Sequence, residues 1–169
     1  MYTHMTIGHS WGKAGGFLAG LALHYQQGKH LFTARFQGTI DAERTIFFFP
    51  ISSRSSREEY GFLYGRRILW NDASLSISLG LSHNRLLEKR KDQNNISYNA
   101  ITNAVGVPFD IVLNVFNREK ERYRILFLIP VGPPTGFSRS IGLKLTGNIS
   151  RLPYVGIGLT YGWGWHKKY

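Results

Sequence analysis

The last strand-like segment of the chain alternates between large apolar and very small side chains. From Val155 to Trp165, every second residue is bulky, and the residues between are glycine except for Thr160. Because neighbouring residues of a β-strand point to opposite faces, one face is bulky and apolar and the other is nearly featureless. This pattern is typical of a transmembrane β-barrel strand, with apolar residues toward lipid and small ones inside. The predicted lipid-facing or girdle residues are Val155, Ile157, Leu159, Tyr161, Trp163 and Trp165.

The same alternation recurs along the chain. Residues 74–82 repeat it most cleanly, with Leu75, Ile77, Leu79 and Leu81 separated by serine and glycine. The other strand candidates are residues 2–8, 16–25, 31–40, 59–69, 101–115 and 141–148. Eight is an even number and the smallest size usual for an outer-membrane barrel. We therefore predict an all-β fold, an eight-stranded antiparallel up-and-down transmembrane β-barrel, with residues 1–169 forming a single domain.

Composition agrees with a barrel and excludes a bundle of membrane helices. The mean hydropathy is −0.20, and the longest apolar runs are far shorter than the ~20 residues a spanning helix needs. No cysteine is present, so disulfides and thiolate metal sites are excluded. The first residues show no secretory signal, which an exported barrel requires. We interpret the sequence as a mature or truncated form.

Connections of two lengths are expected between the strands. Residues 26–29 and 70–72 resemble tight hairpin turns, whereas residues 41–58 and 86–99 are long, polar and charged. With both termini in the periplasm, the short turns lie on that side and the long segments form outer loops. Residues 116–140 are long where a short turn is due. We interpret them as an insertion or extended turn that lies on the membrane surface or extends the neighbouring strand.

Several polar residues fall on the predicted interior face. Because isolated buried charges are costly, residues there should be paired or hydrogen-bonded. The favoured interpretation is an ion-pair network that plugs a lumen which eight strands leave only just wide enough for side chains. A conduction path or small-anion site is the alternative. The predicted lumen polar cluster is Arg35, Arg67, Asp110, Lys144, His24 and Asn148.

Five segments together resemble a known group of proteins. They are Tyr60–Arg67, the Ser/Leu alternation at 74–82, Val105–Asp110, Ile141–Ile149 and a closing strand followed by basic residues. In order and spacing they resemble small, mostly uncharacterised outer-membrane β-barrel proteins of Bacteroidetes type, over most of residues 15–169. The resemblance implies an eight-stranded outer-membrane barrel and no activity that can be carried over. The segment 116–140 departs from the usual pattern.

Three other motifs in the sequence suggest different chemistries. Ser82 and His83, with Glu88 nearby, suggest a hydrolase, but neighbouring strand residues face opposite ways and cannot form a triad directly. Residues 8–14 resemble a phosphate loop but lack its spacing and its Ser/Thr, so we interpret them as an ordinary loop. The six histidines have no metal-binding spacing. We therefore predict no catalytic, cofactor or metal site.

Net charge and aromatic residues indicate the surroundings of the barrel. The charge is +11, concentrated at 85–91, 118–124 and 166–168, which suits lipid headgroups or lipopolysaccharide phosphates as well as nucleic acid. Aromatic residues such as Tyr25, Phe36 and Trp70 suit an interfacial girdle. The chain ends in an aromatic, Tyr169, as an outer-membrane assembly signal does, although Lys167 interrupts the register.

These features predict an integral protein of the bacterial outer membrane. Its role is structural or in surface interaction through the outer loops. The expected partners are the lipid bilayer, lipopolysaccharide and the outer-membrane assembly machinery. We expect a monomer that binds no nucleic acid and needs no cofactor. The alternatives are a soluble lipocalin-like barrel that binds an apolar ligand, or a lipid A-modifying barrel enzyme.

Overall fold

The structure, a computed structural model, consists of β-strands and their connections. It describes residues 1–13, 15–46, 49–70, 72–91, 97–116, 122–125, 129–134 and 138–164. Numbered in chain order, the strands are β1 (Tyr2–Gly12), β2 (Gly16–Gln27), β3 (His30–Ile46), β4 (Phe49–Leu69), β5 (Ala73–Lys91), β6 (Ser97–Phe116), β7 (Arg122–Ile125), β8 (Ile129–Pro134), β9 (Ser138–Ile149) and β10 (Tyr154–Gly164). Among the described residues, no helix is long and apolar enough to cross a membrane.

Eight of the strands form a closed ring in the order β1-β10-β9-β6-β5-β4-β3-β2, and every neighbouring pair is antiparallel. The predicted eight-stranded barrel is therefore confirmed. Following the paired residues around the ring from Tyr2 leads back to β1 at Gly12, ten residues further on. Such a stagger accompanies the strand tilt that closure requires. Closure leaves no free edge within the ring.

The two ends of the ring differ. The lower end, where β1 begins and β10 finishes, carries the short turns between β2 and β3 and between β4 and β5. The first of these has only two residues, and Gly28 occupies it with a positive φ of 61°. A hairpin turn this short needs such a conformation, which glycine adopts without strain. The first turn therefore lies within the predicted segment 26–29, and β4 ends and β5 begins on either side of the predicted segment 70–72.

The predicted long loops are mostly strand, so that part of the sequence interpretation was wrong. At the upper end β3 continues to Ile46 and β4 begins at Phe49, while β5 runs to Lys91 and β6 begins at Ser97. The pairing of β2 with β3 ends at Ile40. We call residues 41–46, 49–56, 87–91 and 97–101 the outer extension. Its sequence lacks the apolar/small alternation because strands that have left the apolar layer need no lipid-facing side.

One further sequence interpretation needs correction, and another segment gains detail. Residues 8–12 continue β1 and are not a loop; they pair with β10 from Gly8 to Gly12. The segment 116–140 extends β6 to Phe116 and β9 from Ser138, and between them it contains a separate two-stranded sheet in which β7 pairs with β8. This hairpin lies in the connection between the lower ends of β6 and β9.

The interior is too crowded for a methyl group at several glycines. A Cβ on Gly142 would come within 2.2 Å of the Leu113 carbonyl oxygen and 2.3 Å of Asn114 Oδ1. A Cβ on Gly38, whose strand lies in the same ring, would approach no atom closer than 3.9 Å. The small face of these strands therefore reflects close packing inside the barrel.

These two glycines give a matched stability test. We expect Gly142→Ala to destabilise the folded barrel by about 1–3 kcal/mol, the usual cost of overpacking. The control Gly38→Ala should change the free energy of unfolding by less than about 0.5 kcal/mol. Urea unfolding in detergent or lipid measures both. Equal effects of the two substitutions would contradict the crowded interior.

Candidate functional site: barrel interior and outer belt

Charged residues of four strands meet in the middle of the barrel. The Arg35 guanidinium donates hydrogen bonds to Asp110 and to Glu59 and forms ion pairs with both. Lys144 Nζ lies 2.9 Å from Asp110 Oδ2. All four side chains are at most 5% exposed. We call Arg35, Glu59, Asp110 and Lys144 the central ion cluster, in which two cations face two carboxylates.

Neutral groups complete the hydrogen bonding of the central ion cluster. Arg35 also donates to Thr146 Oγ1 at 2.7 Å and to the Tyr154 hydroxyl at 3.1 Å. Thr146 in turn donates to Asp110 Oδ1 at 2.7 Å. Buried charges are tolerated when they are paired and hydrogen-bonded in this way. The arrangement ties β3, β4, β6, β9 and β10 together across the lumen.

A second buried arginine sits above the cluster. The Arg57 guanidinium carbon lies 3.4 Å from the centre of the Tyr154 ring, a cation–π geometry. Gln37 donates to the hydroxyl of the same tyrosine at 2.9 Å. Arg57 and Glu59 were missed as interior residues. Both lie on the strand face opposite Tyr60, so the two-residue period of a β-strand could have identified them as inward-facing. The charged run 57–59 is, however, typical of a solvated loop.

The lower end of the lumen is filled by an aromatic and basic group. Arg67 lies over the Tyr2 ring at 4.5 Å and donates to Gln26 Oε1 and Ser74 Oγ, both at 2.9 Å. His24 stacks on Tyr2, with ring centroids 4.6 Å apart, and meets His4 edge-to-face at 4.7 Å. We call Tyr2, His4, His24 and Arg67 the lower plug. Tyr2 and His4 were not among the predicted lumen residues.

Asn148 belongs to neither group. It donates to Ser82 Oγ at 2.6 Å, near the upper end of the ring. Above it Leu86, Ala104 and Leu152 form a small buried apolar cluster. The six predicted lumen residues are therefore all buried inside, but only Arg35, Asp110 and Lys144 come together. Arg67 and His24 lie in the lower plug.

The outside of the ring is apolar on every strand. The fractions exposed include 55% for Ile7, 61% for Phe62 and 62% for Leu159. We call this surface the outer belt; its exposed members include Met5, Ile7, Leu21, Leu23, Phe36, Phe62, Ile77, Leu79, Leu81, Ile111, Leu113, Ile141, Leu143, Ile157, Leu159 and Tyr161. An apolar surface that encircles a protein is far larger than the patches water-soluble monomers expose. Together with a charged interior, it is the arrangement of a membrane barrel.

The remaining predicted belt residues have different positions. Leu75 and Trp163 face outward and are half-buried, whereas Trp165 lies outside the described residues. Aromatic and polar rings gather at the lower margin, where the His30 Nδ1 and the Tyr64 hydroxyl are 2.6 Å apart. Arg66 also faces outward there, and a long side chain at such a margin can reach headgroups.

The fold is that of a small eight-stranded outer-membrane β-barrel. Three solved structures share it across nearly the whole chain. Neisserial surface protein A is 10% identical, with a TM-score of 0.56, and 96% of this chain covers 93% of that one. Ail of Yersinia pestis, in complex with the heparin analogue sucrose octasulfate, is 11% identical at a TM-score of 0.53, with 96% of both chains covered. The outer membrane enzyme PagL is 8% identical at 0.50, with coverages of 96% and 98%.

Sequence comparison adds nothing to this likeness. No protein-family model matches the chain, and no curated protein matches it. Identities near 10% establish the shared fold and no shared activity. They also leave the Bacteroidetes-type resemblance as a prediction. A lipocalin-like barrel would carry apolar residues inside and charge outside, which is the reverse of the observed sidedness.

Ser82 and His83, the residues that suggest a hydrolase, do not contact each other. Ser82 faces the interior, where it accepts from Asn84 and Asn148. His83 faces outward, between Tyr60 on β4 and Val105 on β6. A nucleophile and its base must be within hydrogen-bond reach. In the part of the chain that the structure describes, no group of three or more histidine or acidic residues could hold a metal ion.

Proposed function

We propose that this protein is an integral β-barrel of the bacterial outer membrane whose closed ring serves as a scaffold for surface interaction through the outer extension. Residues 1–169 act as one domain, and the β7–β8 hairpin is an insertion on the periplasmic side. Lipid and lipopolysaccharide surround the outer belt, and the outer-membrane assembly machinery inserts a monomer. The observation that best supports this proposal is that four strands continue beyond the ring, whereas the interior of the ring is filled with side chains.

We infer that the lumen is plugged. The central ion cluster and the lower plug supply hydrogen-bonded side chains across the interior, and eight strands enclose little more than their own side chains. Purified protein in a planar lipid bilayer should therefore show no steady conductance. Replacing Arg35 and Glu59 together by alanine removes two large side chains and should produce measurable ion current. A wild-type channel with steady current would contradict the plug.

The outer extension carries exposed apolar and basic side chains although it lies beyond the lipid-facing belt. Ile101 is 54% exposed, although it lies beyond the belt. Lys89 is exposed on the neighbouring strand. Exposed apolar groups next to positive charge are typical of a binding surface. The Ail structure holds a heparin analogue, so we propose an anionic, sulfated or phosphorylated polymer as the partner of this surface.

Binding to immobilised heparin tests this role. We expect Lys89→Glu to weaken retention by about 0.5–1 kcal/mol, because one attractive surface charge becomes repulsive. The control Lys29→Glu makes the same change of charge in the turn at the lower end and should leave retention unchanged. If the two variants elute at the same salt concentration, the outer extension is not the binding surface.

We propose no catalytic role. The opposite orientations of Ser82 and His83 support this, since they separate the two groups that would have to cooperate. PagL shows that the fold can be that of an enzyme, so the proposal needs a direct test. Lipid A isolated with and without the protein should have the same acylation. Loss of an acyl chain in the presence of the protein would establish the enzyme alternative.

A further inference from the structure

The outer belt contains a trough between two rows of side chains. The upper row is Leu21, Phe36, Tyr60, His83 and Val105, and the lower row is Leu23, Ala34, Phe62 and Leu81; within each row, neighbours are paired across adjacent strands. Between the rows lies the backbone of Arg35, Gly61 and Ser82, whose side chains, where present, point inside. The resulting cavity has a volume of about 730 Å³. We call it the belt trough.

Small residues make the belt trough deeper, and aromatic residues form part of its walls. Ala34 interrupts the lower row beside Phe62, and the floor at Gly61 has no side chain. The upper wall is stiffened by Phe36 and Tyr60, whose ring centroids are 5.0 Å apart. Five strands spaced by about 4.8 Å give the trough a length of about 19 Å. One leaflet contributes about half of the ~30 Å hydrocarbon layer, so a single acyl chain is of matching length.

The upper end of the belt trough reaches the margin of the belt. Along β5 the outward residues change from Leu81 through His83 to Arg85, which is exposed. Asn103 of β6 is the cross-strand partner of Arg85, and Glu58 of β4 is its partner on the other side. A phosphate carries more charge than one carboxylate and accepts paired hydrogen bonds from a guanidinium. The site therefore combines an acyl groove with a cationic end.

We propose that the belt trough is a specific lipid site that holds one acyl chain of lipid A, with a lipid A phosphate bound by Arg85 and His83. This inference rests on the proposed outer-membrane location with periplasmic termini, because the upper end then lies in the outer leaflet, where lipopolysaccharide replaces phospholipid. Both shape and charge determine which lipid binds. The belt trough accommodates the acyl chain, and the basic side chains at its upper end favour a phosphorylated headgroup over an uncharged one.

Native mass spectrometry of the detergent-solubilised protein with added lipid A tests the site. We expect lipid A to bind about tenfold more tightly than its dephosphorylated form, since a charge-assisted phosphate contact is worth about 1.4 kcal/mol or more. Arg85→Gln should remove most of that preference. Ala34→Trp should fill the groove and weaken both lipids about tenfold. The controls are Arg66→Gln, at the lower margin, and Leu159→Trp, on the opposite side of the belt, and both should bind as the wild type does.

Each other result has a defined meaning. Equal affinity for phosphorylated and dephosphorylated lipid A would overturn the phosphate site, and unchanged binding by Ala34→Trp would overturn the groove. Equal binding of phosphatidylglycerol would overturn the assignment to lipid A. The variants' folding in the same micelles is read from their mobility before and after heating. A wild-type chain that is folded and soluble without detergent would instead overturn the proposed location.

Discussion

Asp110→Leu is expected to destabilise the folded barrel by about 3–5 kcal/mol, because it leaves two buried cations without their shared carboxylate. Asp110 accepts from Arg35 and Thr146 and pairs with Lys144 Nζ at 2.9 Å. The lost hydrogen bonds add to the uncompensated charge. Reversible urea unfolding in lipid vesicles measures the free energy directly.

A second substitution separates charge balance from simple loss of contacts. Adding Lys144→Met to Asp110→Leu removes one cation with its carboxylate and leaves Arg35 paired with Glu59. The double variant should recover at least about 2 kcal/mol, since apolar replacement of a buried pair is often neutral. Glu58→Gln is the control: this carboxylate is only half-buried, and its loss should cost less than about 0.5 kcal/mol. An Asp110→Leu variant as stable as the wild type would contradict the central ion cluster.

Leu159→Arg should cost about 2–4 kcal/mol in a bilayer, because its position is the middle of the five outward residues of β10. The matched control is Ile101→Arg on the outer extension. The two side chains are 62% and 54% exposed and both lie on strands, but only Leu159 belongs to the outer belt. Charge beyond the belt should cost no more than about 1 kcal/mol.

The comparison distinguishes lipid from water as the surroundings of the belt. Exposed substitutions on a water-soluble barrel usually change stability by less than about 0.5 kcal/mol, so both variants would then behave alike. Unfolding in vesicles supplies the two free energies. A Leu159→Arg variant that is no less stable than Ile101→Arg would show that the belt does not face lipid.

Much of the ring was predictable because lipid imposes a simple rule on it. Leu159 lies between Gly158 and Thr160, and Ile77 lies between two serines, so both had to face outward. On β3, the outward orientation of Phe36 then required Arg35 to face inward. The period of two is strongest where one side meets hydrocarbon. Eight such segments gave the strand number, and an even number of antiparallel strands gave the closure.

The remaining features could not be predicted because the alternation of lipid-facing and inward residues ends at the margin of the belt. Arg57 and Glu59 lie next to Glu58 in a charged run, and only the parity set by Tyr60 distinguishes the inward pair. Beyond Ile40 the sequence of β3 has no alternation of apolar and small residues to mark a strand. The pairing of β7 with β8 is likewise a local hairpin with no apolar/small alternation. Which ionic groups would share one cluster depended on register, which the sequence does not encode locally.

The claim that the ring is a closed membrane barrel is tested most directly by gel mobility after refolding into detergent. A closed barrel resists the detergent sodium dodecyl sulfate until it is heated, because its backbone hydrogen bonds all lie within the ring. We predict that unheated protein migrates differently from boiled protein, and that folding requires detergent or lipid. Identical mobility before and after boiling, with a folded monomer that is soluble in buffer alone, would contradict it.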